Sequence, residues 1–278
     1  MKIFDFQQLK NYLKARGLRP KDYLGQNFLV DEAALNEIVK IADLKNTDTI
    51  LEVGPGLGVL TGELIEKAKQ VWSVEKDPKM VSILRGEFAG KKNLKIINED
   101  ILRFHVSREL PTDYKVVANI PYYLTSKLLQ FFLEQEHPPK LMVLMIQKEV
   151  GERVIAAAGE LSILGISVQV YADVEIAAQV SKNSFWPVPE VDSVILKITP
   201  KNKYPEIKDP ELFFRIIKIA FAGKRKQLHN TLIHGLKLPK EEVLKLLLDA
   251  EIDPNIRPQD LKIEDWIRLY QQVANRTA

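Results

Sequence analysis

T-I-L-E-V-G-P-G-L-G-V-L-T, residues 49 to 61, is an apolar run that breaks on three glycines, Gly54, Gly56 and Gly58, and passes directly into a helical pattern. Strand, glycine turn and helix in that order open a doubly wound α/β sheet. The glycines let backbone pass close beneath a ligand, and the helix N-terminus offers a favourable dipole to polar groups. Val59 stands where the dinucleotide fingerprint G-x-G-x-x-G needs its third glycine, and no Gly-Lys-Ser/Thr follows as in a P-loop, so neither NAD nor ATP is favoured. Taken alone, such a turn also suits a plain tight connection.

Outward from this turn the same alternation repeats. Apolar runs at 70–75, 94–100, 114–119 and 141–147 are separated by segments with three-to-four apolar spacing at Thr61–Lys69, Pro78–Phe88, Ser126–Glu134 and Lys148–Ala158. A further periodic helix lies near Asp31–Ala42. This pattern predicts a parallel sheet with crossover helices. A helical stretch at Leu161–Tyr171 then gives way to D-V-E-I-A-A-Q-V and S-V-I-L-K-I, which read as an antiparallel pair at the end of the sheet. P-K-N-K-Y-P-E-I-K-D-P reads as a linker, and everything from Glu211 reads helical. Two domains are expected, 1–200 and a small α-helical domain at 201–278.

The strand ends carry the chemistry. Glu75 closes the second run, 21 residues after Gly54, where a carboxylate can accept both hydroxyls of a ribose; the alternative is a solvated strand-end acid. Asp100 closes the third and can accept an adenine amino proton. Three successive strands thus deliver Gly54, Glu75 and Asp100 to one carboxyl edge, which favours a cofactor containing a nucleoside. The next strand ends in N-I-P-Y-Y, Asn119 to Tyr123: an amide, a rigid turn and two flat rings, suited to a planar polar ligand such as a nucleobase.

Composition bounds the alternatives. The chain has 278 residues, is 46% hydrophobic and contains no cysteine, which excludes disulfides, thiolate metal sites and cysteine nucleophiles. His105, His137, His229 and His234 show no metal spacing, and no metal is expected. No apolar stretch approaches the roughly eighteen residues of a membrane span, and the N-terminal residues lack a signal-peptide core, so a cytoplasmic protein without a membrane partner is the expectation. Without coiled-coil heptads, a monomer is the default. The net charge of +3 is uneven: residues 1–24 carry +4 and residues 201–237 carry +6, leaving −7 between and beyond them. Basic ends around an acidic middle fit phosphate contacts, although solvated lysine faces produce the same count.

With these motifs in place, the chain resembles a known family. E-V-G-P-G-L-G-V-L-T, V-E-K-D and N-E-D-I-L are similar to the S-adenosylmethionine-binding motifs of class I methyltransferases, and N-I-P-Y to their adenine-N6 motif. More closely, L-G-Q-N-F-L-V-D (24–31), M-I-Q-K-E-V (145–150), P-V-P-E-V-D-S (187–193) and F-A-G-K-R-K-Q-L-H-N-T-L (221–232) resemble the KsgA/RsmA family, from about Leu24 to Leu236. The resemblance implies a Rossmann-like class I methyltransferase domain with a mostly parallel seven-stranded sheet and an antiparallel last strand. It further implies N6,N6-dimethylation of two adjacent adenosines near the 3' end of small-subunit ribosomal RNA, in ribosome biogenesis, with a pre-assembled small subunit as the expected substrate.

Carried onto this sequence, the resemblance assigns Asn27, Leu29, Gly54, Glu75, Asp100 and Asn119 to the S-adenosylmethionine cofactor. For the reaction, the Asn119 side-chain oxygen and the Ile120 carbonyl accept the two amine protons, Pro121 fixes the turn, Tyr122 stacks on the adenine and Phe185 closes its other face. Trp186 reads as loop packing. Lys10, Lys14, Arg16, Arg19, Lys21, Lys224, Arg225 and Lys226 are the expected phosphate contacts. The sequence departs from the commonest family form at Tyr123, often a smaller polar residue, whose role stays open. The related resistance methyltransferases of large-subunit ribosomal RNA share N-I-P-Y but usually lack G-P-G-L-G and Q-K-E-V. A non-catalytic RNA-binding or assembly factor on the same fold is a second alternative, and an oxidoreductase a third.

Overall fold

The structure, a computed structural model, describes residues 5–21, 25–201, 204–223 and 226–277. Lys224 and Arg225 lie outside the described residues. The chain divides into two compact units, Met1–Gly151 with Asp173–Pro200, and Glu152–Ala172 with Lys201–Ala278. Glu152–Ala172 goes with the C-terminal residues rather than with the sheet. Its apolar side chains explain why: Leu161, Ile166 and Val170 share a core with Phe213, Ile216 and Trp266.

The first unit begins with helix α1 (Phe6–Ala15), β1 (Phe28–Leu29) and α2 (Glu32–Ile41). There follow β2 (Thr49–Val53), α3 (Val59–Lys67), β3 (Gln70–Glu75), α4 (Pro78–Glu87), β4 (Leu94–Asn98), α5 (Val106–Glu109), β5 (Tyr114–Asn119), α6 (Thr125–Leu133) and β6 (Leu141–Gln147). Helices α7 (Lys148–Ile155) and α8 (Ile163–Gln169) precede β7 (Ala172–Val180), β8 (Phe185–Trp186) and β9 (Ser193–Pro200). Seven strands form one sheet in the order β4-β3-β2-β5-β6-β9-β7. The pairs from β4 to β6 are parallel and β9 runs antiparallel to β6, placing β9 between β6 and β7.

Burial on both faces explains the unbroken apolar runs. Ile50, Val71, Val117, Val143 and Ile195 pack with α2, α3 and α4 residues such as Ile38, Leu64 and Leu84, while the alternating Leu51, Val116, Leu144 and Leu196 are equally buried. Between β2 and β5 the strand order reverses direction along the sheet. Crevices for ligands open at the carboxyl ends of strands at such a switch point.

The leader differs from expectation. Read only as a basic segment, it contains α1, whose N-cap Asp5 accepts from the Gln8 amide and whose Leu9 and Leu13 are buried against Phe28, Val30, Leu57 and Met80. The stripe Leu9, Tyr12 and Leu13 has helical spacing in the sequence, but a reading of the segment by its charge does not weigh it. The second unit adds α9 (Pro210–Phe221), α10 (Leu228–Leu236), α11 (Lys240–Asp249) and α12 (Ile263–Thr277), centred on Phe213, Leu232, Leu247 and Trp266. No helix among the described residues is long and apolar enough to cross a membrane.

Candidate active site

The glycine turn after β2 adopts positive φ at all three glycines: 64° at Gly54, 57° at Gly56 and 82° at Gly58, which N-caps α3. The helix consequently starts at Val59, two residues before the position expected from its periodicity. Glu75 at the end of β3 is buried: its Oε2 accepts from the Gly56 amide at 3.1 Å and its Oε1 from the Asp77 amide at 2.8 Å. This excludes the solvated strand-end acid. Burial pushes the Glu75 carboxyl up, against those two amides, which pull it down.

Beneath the turn lies a residue that sequence reasoning missed. Glu52 is 1% exposed, and its Oε2 accepts from both Ser73 Oγ at 2.6 Å and Thr61 Oγ1 at 2.7 Å, while Oε1 has no partner among the described residues. Burial pushes its carboxyl up to about 7; the two hydroxyls oppose the rise and Glu75 adds to it. Its only signal in the sequence is an acid inside an otherwise apolar strand.

Asp100 caps a 3-10 turn at Ile101–Arg103: Oδ1 accepts from the Leu102 amide at 3.1 Å and Oδ2 pairs with Lys76 Nζ at 2.9 Å. The Lys76 ammonium holds its carboxyl below the usual range, so Asp100 is ionised and keeps lone pairs for a further donor.

In N-I-P-Y-Y, Asn119 ends β5 with its Nδ2 donating to the Asn27 carbonyl at 3.4 Å, which leaves the side-chain oxygen as acceptor. The Ile120 amide donates to Met145 O at 3.1 Å, and among the described residues no donor reaches the Ile120 carbonyl. Pro121 (φ −55°) precedes a 3-10 turn at Tyr122–Leu124. The Tyr122 hydroxyl lies 2.9 Å from Ser193 Oγ, so its half-buried ring is tethered at the far end.

The leader joins this edge through a two-stranded ribbon in which Phe28 pairs with Trp186 and Leu29 with Phe185. Ser184 Oγ donates to Asp31 at 2.6 Å and locks the ribbon. Phe185 is fully buried among core residues including Met145, whereas Trp186 packs against the α1 cluster with Lys10 Nζ 5.9 Å from its ring. One cavity of the first unit is lined by Asn27, Leu29, Gly54, Glu75, Asp100, Asn119, Ile120, Pro121, Tyr122 and Phe185. Glu52, Lys76 and Tyr123 line it too, outside the set expected from sequence.

The basic residues are placed less uniformly. Lys10, Lys14, Arg16 and Arg19 are exposed, with the Arg16 guanidinium 3.7 Å from the Tyr12 ring centre; Lys226 is exposed before α10. Lys21 is turned inward, pairing at 2.8 Å with the buried Asp77, which also accepts from Gln26 Nε2 at 3.2 Å.

A glycine cradle, a buried carboxylate and an ionised aspartate at successive strand ends fit the nucleoside half of S-adenosylmethionine, with an oriented amide beside them. The comparisons with known proteins agree. The family model described as "Ribosomal RNA adenine dimethylase" matches residues 17–275. The chain is 43% identical over 262 residues to "Ribosomal RNA small subunit methyltransferase A" of Dehalococcoides mccartyi, covering 93% of this chain and 90% of that one. A crystal structure of a dimethyladenosine transferase from Plasmodium falciparum superposes with a TM-score of 0.78 at 28% identity, covering 90% of this chain and 98% of that one. The 23S rRNA methyltransferase ErmE superposes less closely, with a TM-score of 0.69 at 27% identity and coverage of 89% and 100%. The chain belongs to the ribosomal RNA adenine dimethylase family.

Proposed function

We infer that this protein is an S-adenosylmethionine-dependent enzyme that dimethylates the N6 amines of two adjacent adenosines near the 3' end of small-subunit ribosomal RNA, as part of ribosome biogenesis in the cytoplasm. The observation that carries the reading is the amide of Asn119, held by the Asn27 carbonyl at the rim of the cavity that Gly54, Glu75 and Asp100 line. The 43% identity to a protein named "Ribosomal RNA small subunit methyltransferase A" supports the small-subunit reaction.

The adenine amine is a weak nucleophile because its lone pair is delocalised into the ring. When bound, the cofactor supplies an electrophilic sulfonium methyl. The Asn119 oxygen and the Ile120 carbonyl accept the two N6 protons, draw the nitrogen out of the ring plane and aim its lone pair. Pro121 sets the turn that presents both acceptors, and the Asn27 carbonyl prevents the Asn119 amide from flipping. Holding both reactants in near-attack geometry contributes about 7 to 11 kcal/mol in well-aligned systems, so no strong base is required. Methylation of the amine would release one proton to solvent water, and the monomethyl amine would return with one N–H left for the same acceptors.

Tyr122 stacks on the extruded adenine, its ring steadied through Ser193. Phe185, a buried wall residue, meets the base only at the depth of the cavity. Base–aromatic stacking of about 1 to 3 kcal/mol per ring offsets the few kcal/mol of unstacking. Glu75 would receive the ribose hydroxyls and Asp100 the adenine amine of the cofactor, with Gly54, Asn27 and Leu29 helping to hold it. Lys10, Lys14, Arg16, Arg19 and the Lys224–Lys226 segment contact phosphates, the helical C-terminal unit binding RNA by shape. Lys21 serves the leader's own fold instead. The protein acts as a monomer on an assembled small subunit.

The test is mass mapping of methylated adenosines after incubation with small subunits lacking the modification. Replacing Asn119 by Ala lowers kcat by at least about a hundredfold while particle binding persists, the scale for removing one preorganised polar contact. Undiminished transfer by that variant refutes the mechanism; undiminished assembly function without transfer favours a binding factor.

A further inference from the structure

The second ring of N-I-P-Y-Y has no part in the reaction described above. Tyr123 is 56% exposed, yet it lines the same cavity as Tyr122. Its neighbours are those of the nucleoside end. Burial raises its hydroxyl, and the charges acting on it are Lys76, Asp100 and Glu75. The Lys76–Asp100 ion pair, at 2.9 Å, stands at that end of the rim.

The leader meets the ring from another side. Gly25 has φ +59°, and a Cβ there would lie 3.4 Å from Tyr123 Cδ1, 3.7 Å from Cε1 and 3.4 Å from Pro121 Cβ. A side chain at this position would thus meet the ring, and glycine leaves the backbone facing it with none in between. A half-exposed aromatic beside a glycine, with its remaining surface near a cavity, gains most by covering a flat ligand. RNA is the poorer partner for this position: the carboxylates of Glu75 and Asp100 disfavour a phosphate chain, and Lys76 is engaged by Asp100.

We propose that Tyr123 is a cofactor-retaining residue, its ring closing with the Gly25 turn over the adenosine end of the cavity, while Tyr122 serves the acceptor base. The proposal rests on the S-adenosylmethionine reading and assigns the adjacent rings of one motif to different substrates. Contact made after entry acts mainly on escape, so the effect falls on the dissociation rate.

The experiment titrates S-adenosylmethionine and S-adenosylhomocysteine calorimetrically into the full chain, its Y123F and its Y123A forms, with stopped-flow dissociation and steady-state KM for both substrates. The expected result is a Kd raised about tenfold in Y123A, carried by faster release, and within about twofold of wild type in Y123F, because the ring rather than the hydroxyl covers the ligand. The KM for cofactor rises and that for RNA does not. Wild-type binding with unaltered Kd in Y123A overturns the proposal, as does a raised KM for RNA at constant cofactor Kd. Failure of the wild type to bind either ligand overturns the methyltransferase reading itself, and this role with it. Circular dichroism of Y123A, expected to match wild type for so exposed a residue, separates loss of contact from loss of fold.

Discussion

Replacing Glu52 by Gln tests whether the floor of the site stores a pH-dependent strain. Burial raises the Glu52 carboxyl from 4.5 to about 7 even though Ser73 and Thr61 each donate to it. A rise of that size makes the ionised form about 3 kcal/mol costlier in the folded chain than in the unfolded one. Between about pH 4.5 and 7 the folded state keeps a proton that the unfolded state has released, so stability falls as pH rises through this window. Glutamine cannot ionise, and its oxygen can accept from both hydroxyls. Its amide nitrogen, placed where Oε1 has no partner among the described residues, costs about 1 to 2 kcal/mol at every pH. The constant offset drops out of the comparison: relative to wild type, the variant gains about 3 kcal/mol between about pH 4.5 and pH 8. Glu75, also raised by burial, is present in both proteins, and its own slope largely cancels. Native-state hydrogen exchange of the β2 and β3 amides, without cofactor, reads this in the first unit independently of the second. Parallel stability–pH curves for the two proteins would refute the reasoning.

Two further outcomes follow from the same geometry. Gly58→Ala places a Cβ 2.7 Å from Leu84 Cδ2 and 2.6 Å from Phe88 Cε2 at a φ of +82°, so it destabilises the first unit by about 2 to 4 kcal/mol, measured by urea denaturation. Lys10→Ala combined with Lys14→Ala leaves cofactor affinity unchanged but flattens the salt dependence of RNA binding by about 1.5 to 2 in log–log slope; an unchanged slope removes α1 from the RNA interface.

How much was legible before folding depends on whether a signal is local. The strand β3 at Gln70–Glu75, β5 at Tyr114–Asn119 and β6 at Leu141–Gln147 fall where their apolar runs begin and end, because a strand covered on both faces writes its burial directly into consecutive residues. Helix α1 is legible in the three-to-four spacing of Leu9, Tyr12 and Leu13, a signal that a reading of the segment by charge alone passes over. Helix α8 was legible as a helix, but its partner was not: Ile166 and Val170 are as apolar as sheet-facing residues, and only packing reveals that they join Phe213 and Ile216.

The site divides along the same line. Sequence alone determined which residue types stand at the strand ends, Glu75 and Asn119, or just beyond them, Gly54 and Asp100, because the carboxyl-edge rule carries them to one crevice without knowledge of any side chain. Tertiary structure alone decided what those residues experience. The burial of Glu75, the double hydroxyl grip on Glu52, the inward turn of Lys21 to Asp77 and the approach of Gly25 to Tyr123 depend on chain segments far apart in sequence. A residue's chemistry is written in its own code, whereas its desolvation and its partners are set by neighbours that meet only when the chain has folded.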